Sequence, residues 1–436
     1  MRAPPLEGDE APITSPALVV NVKDYFNMPP PKEAFTADAK SNNRPLSAAT
    51  AAGLPVLCAD EIVTAAELGQ GGFCSVLAVR NIKLEPDAPV DKTLVLAEDD
   101  VSSRRKFIKR FGKYSEAHYS YRHVPGQPVP MGDPAQQKPP KLALKRLKTS
   151  LNKKRYAIGL SDLTSEVSLL VSLQHPHIVT VYGVGYDNGD KGCQTKSNKS
   201  ITFVVLDQLR CTLKNKLYMW RERRGMGMMI SRAQLNELWL ERVLILFRIA
   251  TAIEFLHSKG VAHRDLNPDN VGFDSDDVPK LFDFGLARVV GNKRLPTGIL
   301  PEPSEMPDDD DAKYEMTTNT GTIRYMAPEI ALSEKYGLSV DVYSFAIMMH
   351  EVLSLYKPFS NVPSVTFTST VAIKGLRPTI DACWPEGIKH MMKRMWDGES
   401  SNRPSSKEVV AVFESLLRGS DDQLYPKPAL RRLLAR

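Results

Sequence analysis

Hydrophobic positions follow two different periods along the chain. Between residues 61 and 209, apolar and β-branched residues form short runs typical of strands, whereas later they recur every three or four positions, as on one face of a helix. The runs that predict strands are 61–69, 73–79, 142–147, 178–186 and 201–209. Those that predict helices are 233–260, 340–355, 386–396 and 405–417. Strands followed by helices predict an α+β protein with two unlike lobes, a β-rich N-lobe and a mainly helical C-lobe.

Several segments follow neither pattern. Residues 1–55 contain 9 Pro and 10 Ala, and we expect them to form a disordered leader. Three further segments lack an apolar face and are expected to be mobile surface, namely a basic insert at about 82–140 and polar stretches at 187–200 and 289–316. The predicted organisation is a leader at 1–55, an N-lobe at 56–208 that contains the insert, a C-lobe at 209–420 and a tail at 421–436.

Composition excludes several classes of protein. A hydrophobic fraction of 42% and a charged fraction of 25% are those of an ordinary globular chain. The 57 basic and 51 acidic residues leave a net charge of +6, which does not demand a nucleic-acid partner. The most apolar run, residues 243–256, contains Arg248, Thr251 and Glu254. No transmembrane segment is therefore expected, because such a segment needs about 20 mostly apolar residues.

The cysteines and the N-terminal residues bear on the compartment. The five cysteines are widely spaced and include no C-x-x-C pair, so neither a zinc ribbon nor a disulfide framework is indicated. The first residues contain early acidic side chains and no apolar core of a secretory signal. We therefore expect a reducing, intracellular environment, cytoplasmic or nuclear.

The segment Leu68–Val76 (LGQGGFCSV) is a candidate phosphate-binding loop. Glycines let the backbone approach a polyphosphate without a clash at Cβ and turn N–H groups toward it. Taken alone, a glycine-rich stretch between two strands is more often a hairpin.

Two charged residues lie in apolar surroundings. Lys145 occupies an apolar strand run, where a cation needs an anionic partner; the alternative is an edge lysine that reaches solvent. A helix is predicted at about Asp162–Leu173 with Ser161 as its N-cap. It places Glu166 beside an apolar stripe, although a glutamate at such a position is more often exposed to solvent on the flank of the helix.

Three motifs in fixed order are far more specific. They are HRDLNPDN at His263–Asn270, DFG at Asp283–Gly285 and APE at Ala327–Glu329. In these motifs the chain resembles the eukaryotic protein kinases, from about Glu61 to Leu417. The resemblance implies the bilobal kinase fold.

The resemblance also implies roles for individual residues. Gly69 and Gly71 would cover the phosphates of ATP, and Lys145 would hold the α- and β-phosphates while pairing with Glu166. Asp265 would accept the proton of the substrate hydroxyl, and Asn270 and Asp283 would hold Mg²⁺. The residues implied around the nucleotide are Val76, Ala143, the gatekeeper Leu206 and the hinge residues Asp207 and Leu209.

Further structural pairings follow from the same resemblance. Glu329 would pair with Arg403. A spine of apolar side chains anchored by Asp341 would link the lobes, and its members would be Leu170, Val181, His263 and Phe284.

Three positions depart from the family pattern. Cys74 replaces the third glycine, and Gly272 stands where most kinases place a leucine under adenine. Asn267 stands where serine/threonine kinases usually have lysine and tyrosine kinases have alanine or arginine. We expect Asn267 to slow transfer without abolishing it, since Lys145 and Mg²⁺ remain. We expect Gly272 to leave the floor of the nucleotide pocket loose.

The acceptor and the branch are indicated by the later motifs. The run Asn319–Met326 resembles the serine/threonine form, so protein substrates with Ser or Thr acceptors are expected. DVYSF at 341–345 is most similar to the tyrosine-kinase-like branch. RYMAPE and NVGFD are similar to single-domain kinases of algae such as diatoms.

The mode of regulation and the role of the basic insert are hypotheses. Arg264 would bind a phosphate on the activation segment, with Thr317, Thr318 and Thr320 as the best acceptors. Residues 101–123 contain 7 Lys or Arg and one acidic residue. They could bind an anionic partner such as an acidic substrate, lipid or RNA, although a solvated amphipathic insert is the favoured reading.

Two other functions stay open. Cys74, Asn267 and Gly272 would suit a weakly active or inactive kinase-like scaffold, although such a scaffold needs none of the retained catalytic residues. The hypothesis that the chain is a nucleic-acid-binding protein rests on the basic insert alone.

Overall fold

The computed structural model describes residues 54–83, 98–111, 141–186, 201–225, 231–290, 322–419 and 424–426. Within them a six-stranded sheet forms the N-terminal part and the C-terminal part is mainly helical, which confirms the predicted α+β class. The polar stretch 187–200 lies outside the described residues, as do residues 1–53 of the leader. Among the residues just given, no helix combines the length and apolar character that a membrane crossing needs.

The N-terminal sheet contains the five predicted strands and one more. Its strands are β1 (Val56–Cys58), β2 (Ile62–Gln70), β3 (Cys74–Ile82), β4 (Leu142–Leu147), β5 (Val181–Tyr186) and β6 (Phe203–Asp207). They are arranged in the order β1-β5-β6-β4-β3-β2. All neighbours pair antiparallel except β1 and β5, which are parallel.

The additional strand β1 depends on a glycine in its neighbour. A Cβ at Gly185 would overlap the carbonyl oxygen of Leu57 and the ring of Phe203. Glycine at this position therefore lets β1 approach β5 closely enough to pair. The strand itself was not predicted from the sequence.

The basic insert contains a helix that packs on the sheet, which corrects its prediction as mobile surface without an apolar face. In helix α1 (Glu98–Phe111), the side chain of Arg104 is fully buried, donates to the carbonyl oxygen of Val56 at 2.9 Å and forms an ion pair with Glu61. Phe107 joins a second hydrophobic cluster on the sheet, which includes Leu57, Leu142, Phe203 and Val205. For residues 98–111 the prediction was wrong, because Phe107 and the paired Arg104 suffice to pack one face of this helix on the sheet while the other face stays exposed.

Helix α2 (Lys153–Val171) carries Glu166 and begins nine residues earlier than predicted. Its N-cap is Asn152 rather than Ser161, since the Asn152 side chain accepts from the N–H of Arg155 at 2.9 Å. This cap satisfies a backbone donor that has no partner inside the helix. Ser161 therefore lies inside the helix, on an exposed face.

The C-terminal part is built around one buried helix. Its helices are α3 (Leu213–Gly225), α4 (Arg232–Ser258), α5 (Pro328–Ala331), α6 (Ser339–Ser354), α7 (Glu386–Met395) and α8 (Ser406–Arg418). Four of them match the predicted runs, whereas α3 and α5 were not predicted. Every residue of α6 from Val340 to Leu353 is buried. Helices α4 and α7 pack against it, and the ring of Phe345 in α6 lies 6.4 Å from that of Phe413 in α8.

Short strands place two loops side by side below the sheet. These strands are β7 (Cys211–Thr212), β8 (Val261–Ala262), β9 (Val271–Phe273), β10 (Pro279–Leu281) and β11 (Arg288–Val289). The N–H of Phe282 donates to the carbonyl oxygen of Asn270 at 3.1 Å. The loop that ends at Asn270 therefore lies next to the one that begins after β10.

Candidate active site

Strand β4 and helix α2 bring Lys145 and Glu166 together. Nζ of Lys145 lies 2.8 Å from Oε1 and 2.6 Å from Oε2 of Glu166. Burial opposes the charged ammonium, but the carboxylates of Glu166 and Asp283 outweigh it and raise the pKa of Lys145 above its ordinary value. The site therefore favours the charged form of this ammonium on the inner face of the sheet.

Two amides hold the carboxylate of Asp265. Nδ2 of Asn270 lies 2.7 Å from Oδ2, and Nδ2 of Asn267 lies 3.0 Å from Oδ1. Burial, the largest influence, raises the pKa of Asp265 above its ordinary value, while His263 and the hydrogen bonds from Asn270 and Asn267 act in the opposite direction. The arrangement orients a carboxylate whose proton affinity is higher than that of an exposed aspartate.

A buried carboxylate supports the loop from below. Asp341 is fully buried, and it accepts from the backbone N–H groups of His263 and Arg264, each at 2.8 Å. Its Oδ2 also lies 3.0 Å from Nε2 of His257. Burial opposes ionisation, but His257 and His263 outweigh it and lower the pKa of Asp341. Arg264 adopts a left-handed φ of 65°, a conformation that these backbone contacts hold in place.

The DFG segment contributes one exposed and one buried side chain. Asp283 is exposed and has a left-handed φ of 62°, whereas Phe284 is only 2% exposed. The rings of His263 and Phe284 lie 4.8 Å apart between centroids. Leu170, Val181 and Phe284 belong to one hydrophobic cluster, so the side chains of the expected spine lie in one continuous core.

Asn270 and Asp283 supply oxygen donors suitable for a hard cation. The amide nitrogen of Asn270 is turned toward Asp265, which leaves its amide oxygen for a ligand. The carboxylate of Asp283 is near enough to raise the pKa values of both Lys145 and Asp265. An amide oxygen and a carboxylate are donors that Mg²⁺ accepts, so these residues fit the ion that the resemblance implies.

Three of the other residues expected to contact the nucleotide, Val76, Ala143 and Leu206, lie on one face of the sheet. Val76 pairs with Lys145, and Ala143 pairs with Leu206. Since cross-strand partners point to the same side, these four side chains face the cleft together.

Asp207 points the opposite way from Leu206. Its carboxylate accepts from the N–H of Thr180 and the hydroxyl of Tyr182, each at 2.8 Å, and pairs with Lys280 at 3.1 Å. The side chain of Asp207 is thus committed to the protein interior. A nucleotide could meet this residue through its backbone.

Leu209 corrects the expectation of a loose pocket floor. A Cβ at Gly272 would overlap Cδ1 of Leu209 and would lie 3.1 Å from both its Cβ and its Cγ. The side chain of Leu209 therefore fills the space that Gly272 leaves. The segment is held on both sides, because Gln208 donates to the carbonyl oxygen of Lys141 at 2.8 Å and Arg210 donates to that of Phe273 at 2.7 Å.

Protein packing does not require glycine in the loop between β2 and β3. A Cβ at Gly69 would meet nothing within 4 Å, and one at Gly71 would make an ordinary contact at 3.6 Å with the carbonyl oxygen of Cys74. Both glycines are exposed. The open space above them is compatible with a backbone that approaches an external ligand. The adjacent thiol of Cys74 is buried, and this burial raises its pKa.

The residues expected to serve regulation are only partly described. The guanidinium of Arg264 donates to the carbonyl oxygen of Leu286 and to the hydroxyl of Tyr336. The candidate phosphoacceptors Thr317, Thr318 and Thr320 lie outside the described residues.

Glu329 and Arg403 form the bidentate ion pair that the resemblance implies. Nη1 and Nη2 of Arg403 lie 2.6 and 2.8 Å from the two carboxylate oxygens of Glu329. Both side chains are buried, which makes this pair a structural connection between α5 and the segment before α8.

Two contacts at the site were not predicted from sequence. They are the hydrogen bond from Asn267 to Asp265 and the packing of Leu209 on Gly272. The sequence contained a signal for each, because an unusual residue stands at positions 267 and 272. Which neighbouring side chain contacts the unusual residue depends on three-dimensional packing, which a local sequence pattern does not contain.

Comparisons with known proteins agree with this site. A family model described as "Protein kinase domain" matches residues 135–412. The match begins after the glycine-rich loop and most of the basic insert.

Individual relatives show the same resemblance. A probable LIM domain-containing serine/threonine-protein kinase of Dictyostelium discoideum is 29% identical over 263 residues, which cover 60% of this chain and 23% of that protein. The serine/threonine/tyrosine-protein kinase HT1 of Arabidopsis thaliana is 29% identical over 251 residues, covering 57% of this chain and 53% of HT1. A protein kinase and PP2C-like domain-containing protein of Arabidopsis thaliana is 35% identical over 191 residues, covering 40% of this chain and 29% of that protein.

The matched segments span about half or less of the length of these three relatives. The family match nevertheless covers well over half of this chain. With the Lys145–Glu166 pair and the oriented carboxylate of Asp265, it shows that the chain belongs to the protein kinase family.

Proposed function

We propose that the protein is an active, ATP-dependent serine/threonine protein kinase that transfers the γ-phosphate of ATP to a hydroxyl group of a protein. The observation that carries the proposal is the joint placement of a charged ammonium at Lys145, oxygen donors at Asn270 and Asp283, and the oriented carboxylate of Asp265. Phosphoryl transfer depends on positioning and charge neutralisation rather than on a covalent protein nucleophile.

Each residue has a defined task in this proposal. The ammonium of Lys145 binds the α- and β-phosphates, and Glu166 keeps it in place. Backbone groups of Asp207 and Leu209 meet the adenine, while Val76, Ala143 and Leu206 enclose it. Gly69 and Gly71 allow the loop to approach the phosphates. Mg²⁺, held by Asn270 and Asp283, neutralises phosphate charge when bound.

The carboxylate of Asp265 orients the incoming hydroxyl and accepts its proton. The O–H bond of the acceptor breaks as its oxygen forms a bond to the γ-phosphorus, and the bond between that phosphorus and the β–γ bridging oxygen breaks to release ADP. The raised pKa of Asp265 makes it a better proton acceptor than an exposed aspartate.

The choice of Ser or Thr as acceptor rests on the run Asn319–Met326, and the assignment to the tyrosine-kinase-like branch rests on DVYSF. The similarity to single-domain algal kinases stays a prediction. An intracellular location, cytoplasmic or nuclear, goes with this proposal because ATP and reduced cysteine thiols are found there.

The decisive experiment uses radiolabelled ATP, Mg²⁺ and a generic protein substrate. Wild type should transfer label to Ser and Thr, identified by phosphoamino-acid analysis, and Asp265→Asn should lower the turnover by about 10²–10⁴-fold while ATP still binds. Equal labelling by both proteins, or labelling of tyrosine alone, would contradict the proposal.

The alternative is a kinase-like scaffold that binds nucleotide without transfer. It is motivated by Cys74, Asn267 and Gly272. The packing of Leu209 on Gly272 removes one of these three grounds. The same assay separates the two functions, since a scaffold would bind ATP and leave the substrate unlabelled.

An anionic partner for the basic insert is a separate proposal. Arg105, Lys106 and Lys109 are exposed on the helix whose Arg104 and Phe107 are buried. An acidic protein substrate would suit this basic face. Titration with a polyglutamate peptide tests this proposal. The dissociation constant should be higher at about 200 mM salt than at about 50 mM, because salt screens the attraction between exposed charges.

A further inference from the structure

Gly159 is an unexpected residue in the interior of α2. Glycine lowers helix stability relative to alanine, yet this position is buried and surrounded. A Cβ at Gly159 would lie 2.8 Å from Cβ and 3.0 Å from Cγ of Phe73, and 3.1 Å from Cδ2 of Leu147. Only glycine lets the base of the Phe73 side chain rest directly on the helix.

Phe73 lies at the tip of the glycine-rich loop and makes further contacts around this seat. The guanidinium carbon of Arg155, one turn before Gly159, is 5.7 Å from the centroid of the Phe73 ring. The same guanidinium donates to the carbonyl oxygen of Gly72 at 3.4 Å. The N–H of Lys148, just after β4, donates to the carbonyl oxygen of Phe73 at 2.9 Å. The loop tip is therefore held by α2 and by the end of β4.

The helix that receives Phe73 also carries Glu166. The two positions, Gly159 and Glu166, are seven residues apart and lie on the same side of α2, because seven residues make about two turns. Glu166 in turn holds Lys145. One helix thus contacts the tip of the glycine-rich loop at Gly159 and, two turns further along, the ammonium of Lys145.

We propose that the contact of Phe73 with Gly159 is a positioning device that holds the glycine-rich loop down over the phosphate site while α2 keeps Glu166 on Lys145. We call this contact the loop latch. Phe73 and Gly159 are positioning residues, since they act through the loop and the helix. The effect on nucleotide binding rests on the proposed function, whereas the latch itself does not.

The first test needs no nucleotide. Gly159→Ala places a methyl group where the Phe73 side chain rests, and Phe73→Ala removes the ring without adding a group to the helix. Both should increase hydrogen exchange of the backbone amides in residues 69–75 of the full chain. The matched control is Ile158→Ala, because Ile158 is the neighbouring residue on the same helix and is 44% exposed. Unchanged loop exchange in both latch variants would overturn the proposal.

The second test compares ATP with adenosine, which lacks the phosphates that the loop covers. Both latch variants should lower the affinity for Mg-ATP by about three- to tenfold and leave the affinity for adenosine as in wild type. An equal loss for both ligands, or no loss for ATP, would contradict the latch. A merely structural defect would weaken both ligands, so the ratio of the two affinities is the diagnostic quantity.

A double variant completes the argument. If both changes act through one contact, Phe73→Ala should cause little further loss of ATP affinity in the Gly159→Ala background. Additive losses would show that the two residues act separately and would overturn the proposal. Should wild type bind neither ATP nor adenosine, the proposed function would fall, while hydrogen exchange would still decide whether the latch exists.

Discussion

The amide nitrogen of Asn267 donates to Oδ1 of Asp265 at 3.0 Å, and its amide oxygen accepts from the N–H of Asp269 at 2.8 Å. Asn267 is buried. It therefore stabilises the loop conformation and the ionised form of Asp265, but as a neutral residue it adds no positive charge beside the transferred phosphate.

Removing this amide should change the pH dependence of the reaction. The hydrogen bond from Asn267 lowers the pKa of Asp265, so Asn267→Ala should raise that pKa further. Because the carboxylate must be ionised to accept a proton, the acid limb of kcat/KM should move to higher pH. A pH–rate profile measured alongside the exposed-site variant Ile158→Ala would show it; an acid limb that stays in place or moves down would contradict the assignment.

Introducing a cation at the same position should accelerate transfer. Asn267→Lys places an ammonium close to Asp265, where it favours the carboxylate form and adds charge near the phosphate. We expect kcat to rise by several-fold, on the order of 1 kcal/mol in barrier height. Turnover equal to or below that of wild type, for a variant with unchanged thermal stability, would show that the missing charge does not limit the enzyme.

The packing of Leu209 on Gly272 predicts a reciprocal exchange. Gly272→Leu alone should strongly weaken ATP binding because its side chain overlaps Leu209, and Leu209→Gly alone should weaken it by about 10-fold through loss of apolar contact. The double variant Leu209→Gly/Gly272→Leu should recover much of the affinity, since a leucine again fills the space. Titration with a fluorescent ATP analogue measures this, and additive losses in the double variant would count against it.

The buried arginine of the insert predicts a stability effect far from the cleft. Arg104→Ala should lower the free energy of unfolding by about 3 kcal/mol, because it leaves Glu61 and the carbonyl oxygen of Val56 without this partner. Lys106→Ala, an exposed neighbour on the same helix, should change it by less than about 0.5 kcal/mol. Urea denaturation of both variants tests this, and similar effects for the two would mean that the helix does not stabilise the sheet.

His177 should make the protein sensitive to mild acid. Burial, with the charge of His175, lowers the pKa of His177 to about 3, and its Nδ1 lies 3.0 Å from the carbonyl oxygen of Pro279. The unfolded chain binds a proton below about pH 6.5 while the folded chain does not, so stability is full above that pH and falls as the pH drops toward 3. At pH 5.5 the loss is about 1.4 kcal/mol for this residue.

The variant His177→Asn isolates that contribution. An asparagine can still donate to Pro279 but does not titrate in this range, so the difference in unfolding free energy between pH 7.5 and 5.5 should be smaller than in wild type by about 1.4 kcal/mol. Denaturant curves at the two pH values provide the measurement. An identical pH dependence in both proteins would show that folding does not lower the pKa of His177.

The sequence alone was sufficient where a motif is continuous in the chain. The strands from β2 to β6 and the long helices α4 and α6 follow from hydrophobic period, and the roles of Lys145, Glu166 and Asp265 were implied by short motifs and remain proposals. Contacts between segments that are distant in the sequence could not be predicted in this way. The helix of the insert was not predicted because its packing depends on the ion pair of Arg104 with Glu61, which lies 43 residues earlier. The start of α2 was not predicted because the N-cap is Asn152, nine residues before the serine that was expected to cap the helix.

Strand β1 has a consequence for how the chain avoids self-association. It covers the outer edge of β5, where unpaired peptide groups would otherwise offer a template to another molecule. Side chains occupy two backbone groups of β1 itself, since the carbonyl oxygen of Val56 accepts from Arg104 and the N–H of Cys58 donates to Glu61. A protein shortened to begin after Cys58 would lose this cover and, with it, the carbonyl oxygen of Val56 that anchors Arg104. Such a truncated protein should oligomerise through its open sheet edge, although every residue proposed to act in phosphoryl transfer would still be present.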